Sequence, residues 1–497
     1  MRRAVWALVV AFVALGGDYA VGEPANEWSV VEQIKAAAVA YDAQDCSTVL
    51  KLAEPLIDPP GQSALPADLL TVAYEIVVSC ERKDEAYEVA YAHALKATAI
   101  DSISDDMWRF RLAYELDEKR DSGAVETLEG MSNGRGAAVN AIPIRWMGQL
   151  YRRIDKPESV ALKRRFLEVV LTTEYTPNEP FASTDGFAID YARMLHGDGN
   201  ATRAAALVRK ITNPSILIQA SFDPRLRSYV PETIDVRALF ERKLAGDRAV
   251  AVAHPELLEA YTAQAEDLRR LGRPAEALAV LDLAQTKIGD ANVFSDIDAH
   301  LNWFWDSRGR TFHMLNRYEE SVASFQKGAA LNEMGYPNVS QVINLAELQI
   351  SFGRGADALS TLSPFAGQER KSSAYGEMEM RFARVCAFAI SGRGQEAAAD
   401  LDYMKQHETD HPEALGDVLL CFDDFDGAAA AFIRRLDDPD RRAKALEQLS
   451  DYDAPPITLP SDPVTARLPK LKKRADVQAA IARAGGLRRF NVQPAAL

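Results

Sequence analysis

One six-residue phrase returns five times in the second half of this 497-residue chain, and it leaves little choice of fold. It reads Gly272-Arg273-Pro274-Ala275-Glu276-Ala277, Asn316-Arg317-Tyr318-Glu319-Glu320-Ser321, Gly353-Arg354-Gly355-Ala356-Asp357-Ala358, Gly392-Arg393-Gly394-Gln395-Glu396-Ala397 and Asp423-Asp424-Phe425-Asp426-Gly427-Ala428. Each copy follows an apolar stretch of helical period and precedes another. Each therefore marks a tight turn between two antiparallel helices, with a small residue where the helices cross closest. The crossing residues are 44, 37, 39 and 31 apart, so the array is degenerate, with loops of uneven length. The fold class this predicts is all-α, a solenoid of antiparallel helix hairpins.

The clearest copy runs Trp305-Asp306-Ser307-Arg308-Gly309-Arg310-Thr311-Phe312, followed by Ser321 and Phe325. It resembles the tetratricopeptide repeat, W-x2-L-G-x2-Y then A-x3-F, with Arg308 in place of the usual Leu. Neighbouring copies keep the frame through Tyr261, Ala265, Leu268, Ala277, Leu281 and Ala284, through Leu345, Ala346, Ala358 and Leu362, through Val385, Phe388, Ala397 and Leu401, and through Ala428 and Phe432. The resemblance covers about 200 residues and implies a right-handed superhelix with a tendency to bind other proteins. The two-carboxylate clamp of some chaperone-binding relatives is not visible, because its positions hold Thr262, Glu266, Asp306 and Arg310.

The first half reads as divergent hairpins at Val30–Ile57, Ala67–Ala97, Asp105–Met131, Ala141–Leu171 and Asp185–Ile211. The expected organisation is a signal peptide at 1–22, a divergent helical segment at 23–213, a connector at 214–254, tetratricopeptide-like repeats at 255–450, and a Pro-rich linker with a capping helix and basic tail at 451–497. A helix from about Ala475 to Ala484 is expected to cover the open end of the stack.

Met1-Arg2-Arg3 followed by the apolar run Ala4 to Gly17 has the form of a secretory signal peptide, too short to span a bilayer comfortably. The alternative is an uncleaved N-terminal anchor. The mature chain is then expected to be soluble, exported and periplasmic, with no stable membrane insertion. Export makes the four cysteines informative. Cys46 with Cys80 and Cys386 with Cys421 are separated by 34 and 35 residues, about one hairpin repeat, so two disulfides joining neighbouring repeats are expected rather than four buried thiols. Each would stabilise by about 3–4 kcal/mol on the chain-entropy estimate.

The net charge of −15 argues against nucleic acid and anionic lipid as partners. One local exception is the tail, where Arg467, Lys470, Lys472, Lys473, Arg474, Arg483, Arg488 and Arg489 meet only Asp476 as an acid. It reads as a solvated helix face, or else as a contact for lipid phosphates or an acidic partner.

His407-Glu408-Thr409-Asp410-His411 is a literal H-E-x-x-H, which in zinc proteases puts both imidazoles on one helix face. Here Pro412 follows, Thr409 and Asp410 are weak helix formers, and the segment falls between repeats, so a surface turn is expected. A metal-dependent hydrolase or its regulatory half is the alternative that rests on this motif, and an envelope assembly subunit is a third. Gly353-Arg354-Gly355 and Gly392-Arg393-Gly394 lack the third glycine and the lysine of phosphate loops. The chain is expected to be no enzyme, with no cofactor or metal. Its expected site is a groove for a protein or peptide, lined by Glu259, Thr262, Glu266, Arg269, Trp303, Asp306, Arg310 and His313, with Trp303 and Arg310 as anchors.

Overall fold

The computed structural model describes residues 29–58, 65–133, 136–231, 234–289, 293–333, 336–365, 373–454, 457 and 462–494. The expected signal peptide and the prolines Pro455, Pro456 and Pro460 lie outside these residues. The chain forms two compact units, 1–184 and 185–497. Unit 1 contains α1 (Val30–Asp42), α2 (Cys46–Ile57), α3 (Ala67–Lys83), α4 (Tyr87–Ala97), α5 (Asp105–Asp117), α6 (Asp121–Ser132), α7 (Gly136–Asn140), α8 (Ile144–Ile154) and α9 (Val160–Thr172).

Unit 2 begins with α10 (Asp185–Gly197), α11 (Ala201–Lys210), α12 (Pro214–Phe222) and α13 (Val236–Ala253). The repeats follow as α14 (Glu259–Arg270) with α15 (Pro274–Gln285), α16 (Ile297–Met314) with α17 (Tyr318–Ala329), and α18 (Val339–Ser351) with α19 (Gly355–Leu362). Then come α20 (Ala374–Ile390) with α21 (Ala398–Gln406), α22 (Ala414–Cys421) with α23 (Phe425–Asp437), and α24 (Arg442–Leu449), α25 (Pro463–Lys472) and α26 (Ala475–Ala484). Among the described residues, no helix is long and apolar enough to cross a membrane. Each unit is thus an all-α stack of antiparallel hairpins. Unit 2 begins at Asp185, not at 214, because the Asp185 carboxylate accepts from Thr212 N, Thr212 Oγ1 and Asn213 N and so ties the hairpin α10–α11 to α12. The stretch expected to be a connector carries α12 and α13.

Among the described residues, nine hairpins turn in one way. A single residue adopts the left-handed conformation in each: Gln44, Glu85, Lys119, Gly199, Gly272, Asn316, Gly353, Gly392 and Asp423. The residue after it donates its N–H to a carbonyl five positions back, as Arg273 does to Leu268 at 2.8 Å and Ala86 to Glu81 at 2.8 Å. The turn residue itself donates to the carbonyl three back, as Gly272 does to Arg269 at 2.9 Å. These are the two bonds of a Schellman cap, which satisfy carbonyls orphaned at the end of the first helix.

Counting from the turn fixes the packing. Five residues on, Val49, Ala90, Ala124, Ala204, Ala277, Ser321, Ala358, Ala397 and Ala428 are all fully buried where the helices cross. Seven residues back lies their partner, from Ala37 and Val78 in unit 1 to Gly309 and Gly416 in unit 2. Gly309 has no room for a methyl group, since a Cβ there would lie 2.5 Å from the Phe325 ring; at Gly416 it would lie 2.9 Å from Phe432. The cysteines form Cys46–Cys80, joining α2 to α3, and Cys386–Cys421, joining α20 to α22, each with Cα atoms 5.2 Å apart. Both therefore link neighbouring hairpins.

Unit 2 closes on itself. Helix α24 packs on α12, and the short strands Asp451–Tyr452 and Arg489–Phe490 pair in parallel. The tail then reaches residues more than 200 positions earlier. Gln493 N donates to Arg270 O at 2.8 Å, Arg237 Nε to Asn491 O at 3.0 Å, and Arg488 Nη2 to Ser221 O at 3.1 Å. Phe490 meets Phe222 edge-on with centroids 5.9 Å apart. Most of the basic tail is consumed in this closure. Arg467 reaches Asp423, Lys472 Asp451, Arg474 Asp426 and Asp476, Arg483 Asp437 and Arg489 Asp453, while Lys470 sits 4.0 Å above Phe425. The acids it lacks locally are supplied by the fold.

Candidate functional site

The first helices of successive repeats, α14, α16, α18, α20 and α22, lie side by side and form one continuous layer. Polar side chains cross this layer from helix to helix. On α14, Arg269 Nη1 donates to Ser307 O at 3.1 Å, to Ser307 Oγ at 2.7 Å and to Thr311 Oγ1 at 3.2 Å. On α16, Arg310 Nε donates to Asp306 Oδ2 at 2.6 Å, and Asn344 Nδ2 of α18 donates to Asp306 Oδ1 at 2.6 Å. His313 Nε2 lies 3.3 Å from Ser351 Oγ, with its ring edge-on to Phe352.

Of the eight expected groove residues, Arg269, Asp306, Arg310 and His313 thus form one polar stripe that joins three repeats. Trp303 lies one turn before Asp306 on the same helix face and is 45% exposed. Glu266 is exposed, and Thr262 is half-buried with its hydroxyl on Glu259 O at 2.9 Å. Glu259 turns elsewhere. It comes within 3.7 Å of His300, and the two lie close to Asp296, whose oxygens accept Leu258 N at 2.7 Å and Glu259 N at 3.0 Å to cap α14. Asp296 has a structural task at this helix start.

Burial sets the ionisation along the stripe. It lowers Arg269 to about 10 and His313 to about 4, so His313 is neutral near pH 7. Glu347 on α18 keeps some surface open to solvent, yet it lies deep among the first helices. Burial, followed by the charge of Glu379, pushes its carboxyl up to about 8.

The stripe continues where the sequence reading did not place it. His411 is buried, with Nε2 2.7 Å from Glu379 Oε1 and Nδ1 3.0 Å from Glu413 Oε2, and Tyr375 lies against its ring. Burial alone would lower its pKa, but the two carboxylates outweigh that and raise it to about 9. The bond from His411 takes Glu413 down to about 2. Gln448 Nε2 donates to both oxygens of Asp417, at 2.8 and 2.9 Å, while Gln448 Oε1 accepts from Arg435 Nη1 at 2.9 Å. Burial raises Asp417 to about 6.

Glu347, Glu379, Glu413 and Asp417 were within reach of the repeat frame. Measured back from each turn, Glu379 occupies the position of Trp303, Glu413 that of Asp306, and both Glu347 and Asp417 that of Arg310. His411, Arg435 and Gln448 have no such signal, since they arrive from an inter-repeat turn, a second helix and α24.

The H-E-x-x-H residues do not assemble a metal centre. Residues 407–410 form a turn, as expected, but His411 lies buried beyond it rather than on the surface. His407 stacks on Tyr403 with centroids 4.0 Å apart and meets Asp410 at 3.1 Å. Glu408 pairs with Arg434 at 2.8 Å. His407, Glu408 and His411 each turn to a different partner, and both nitrogens of His411 are occupied.

No family model matches the chain, and no curated protein matches it. Among solved structures it is similar to the APC/C hetero-tetramer Cut9–Hcn1, at 13% identity over 92% of this chain and 93% of that one, with a TM-score of 0.29. It is also similar to Naa15/Naa10 bound to HypK-THB, at 12% identity over 91% and 79%, with a TM-score of 0.22. A third is the TPR domain of P58(IPK), at 14% identity over 90% and 100%, with a TM-score of 0.19. At such scores the fold rests on the chain's own helices. They define a tetratricopeptide-like helical-hairpin solenoid with a polar stripe along the first-helix layer of unit 2.

Proposed function

We propose that this chain is a non-catalytic, exported scaffold that holds a protein or peptide along the first-helix layer of unit 2. The observation that carries the reading is Trp303, a large aromatic side chain left 45% exposed at the end of a stripe whose polar members are fixed by bonds between repeats. An exposed indole beside a positioned arginine has the composition of a binding hot spot. The fixed stripe lowers the entropic cost of ordering a partner. Export is supported by the apolar run Ala4 to Gly17 and by two disulfides, which persist in oxidising compartments. The test is partner capture by Trp303→Ala and by Trp303→Ala with Arg310→Glu. The single change should weaken capture by about 2 kcal/mol, and the double change should abolish it with helical circular dichroism unchanged. Capture that survives the double change would remove the stripe as the binding site.

A further inference from the structure

Unit 1 carries a cavity that the stripe of unit 2 does not explain. The turn after α3, the start of α4 and the C-terminal half of α5 enclose about 550 Å³. Its floor is aromatic. Phe110 and Tyr114 lie one helical turn apart with centroids 6.3 Å apart, and Tyr114 stacks on Tyr91 at 4.7 Å. Its wall is formed by Tyr87 and Val89, which stay 48% and 47% exposed. Two large apolar side chains held open beside an aromatic floor form the apolar half of a docking site.

The rim supplies the other half. Four carboxylates line the cavity, Glu85, Glu88, Asp117 and Glu118, against one cation, Arg82. Arg82 lies over Phe110, 4.5 Å from its centroid, and Glu88 is held by Arg120 at 2.9 Å. Glu85, Asp117 and Glu118 are exposed and enter none of the ion pairs among the described residues. They crowd one rim because Glu85 occupies the left-handed turn position while Asp117 and Glu118 end the next first helix.

We propose that this cavity docks a partner-protein segment in which an apolar or aromatic side chain is flanked by lysines or arginines. The apolar side chain fills the space between Phe110, Tyr114 and Val89, and the cations meet the three unpaired carboxylates. Charge selects this occupant, since a chain of net charge −15 steers basic segments toward it and repels phosphorylated or acidic ones. The basic tail of a second copy does not meet the requirement, because seven of its eight cations are already committed within unit 2, all but Lys473.

The test uses the full chain and a fluorescein-labelled peptide with two phenylalanines among four lysines, read by fluorescence anisotropy. Two control peptides carry glutamates for the lysines or serines for the phenylalanines. The lysine–phenylalanine peptide is expected to saturate, with each control at least about tenfold weaker. Glu85→Gln with Glu118→Gln, and separately Tyr87→Ser with Val89→Ser, should each weaken it by about tenfold. Glu319→Gln with Glu396→Gln, the same change of charge on unit 2, should leave it unchanged, as should Trp303→Ala. All these positions are exposed, so melting temperatures should match. Failure of the peptide to saturate overturns the proposal, and so does an equal loss in the unit 2 charge control or no loss in either unit 1 variant.

Discussion

The hairpin turns of unit 1 and unit 2 share a backbone, but glycine bears its strain at four of the six such turns described in unit 2 and at none of the three in unit 1. In unit 2, Gly272, Gly353 and Gly392 sit at φ of 74°, 73° and 71°; in unit 1, Gln44, Glu85 and Lys119 sit at 62°, 62° and 56°. The same two cap bonds close both sets, and five positions on a buried residue follows, alanine in every case but Val49 after Gln44. A side chain in this conformation costs roughly 1–2 kcal/mol, and unit 1 tolerates it because the crossing beyond the turn over-determines the geometry. The register of the hairpin dictates the turn. Glycine is its least costly occupant, not its cause.

The disulfides offer the largest break in this comparison, since each unit has one across neighbouring hairpins. Replacing Cys46 and Cys80 by serine should cost unit 1 about 3–4 kcal/mol, and Cys386 and Cys421 should cost unit 2 a similar amount, for loops of nearly equal length. Chemical denaturation of the two double variants checks this. If both variants unfold at the same denaturant concentration as the parent, packing alone holds the neighbouring hairpins together.

A second contrast lies in pH. Each unit buries a histidine between two carboxylates: His93 with Glu81 at 2.8 Å and Asp58 at 3.8 Å, and His411 with Glu379 and Glu413. The bond to Glu81 raises His93 against an opposing effect of burial. A histidine raised in the folded state stabilises fully below its unfolded value near 6.5, and that contribution is lost as pH rises through the folded value. For His411 the loss runs through about 9. Glu347, raised to about 8 by burial, also loses its contribution as pH rises, whereas Glu413, lowered to about 2, loses its own only in acid. Asp417 faces the same cluster and, raised to about 6, loses its contribution below the histidine window. Denaturation between pH 6.5 and 9.5 should show falling stability in the parent, a shallower fall in His411→Gln, and a shallower one again when Glu347→Gln is added. Identical slopes in all three would mean that the cluster does not titrate in this window.

The smallest effect sharpens the turn comparison itself. Gly353→Ala should destabilise by about 1 kcal/mol. Lys119→Gly should stabilise by roughly 0.5 kcal/mol, because the flexibility glycine adds to the unfolded chain offsets part of the relief. A loss at position 119 would show that the lysine side chain is needed there beyond the backbone it adopts.

The hairpin array was legible because its signals are local. Small residues cross at a fixed distance from a turn, and apolar residues recur at helical period, as at Ala277, Leu281, Ser321 and Phe325. The hairpins of unit 1 were also legible from periodicity, although Gln44, Glu85 and Lys119 gave no glycine to mark their turns. What was hidden is non-local. The bonds from Gln493 to Arg270 and from Arg488 to Ser221 join residues whose sequence neighbourhoods carry no trace of one another, so the sequence showed a capping helix and a solvated basic tail rather than a closed unit. In the same way, His411 read as part of a surface turn because Glu379 approaches it from another helix. Trp303, Asp306, Arg310 and His313 were placed on the first-helix layer from the frame alone. Glu347, Glu379, Glu413 and Asp417 stand at the same frame positions in weaker repeats, whose frame did not single them out.

The stripe on unit 2 is tested most directly by a photo-cross-linking amino acid at position 303, compared with one at Leu283, which is 55% exposed on a second helix, in the cells that produce the protein. Binding along the first-helix layer predicts a discrete partner adduct from position 303 that disappears with Arg310→Glu, and none from position 283. The same adducts from both positions, or an adduct from 303 that persists with Arg310→Glu, would contradict it.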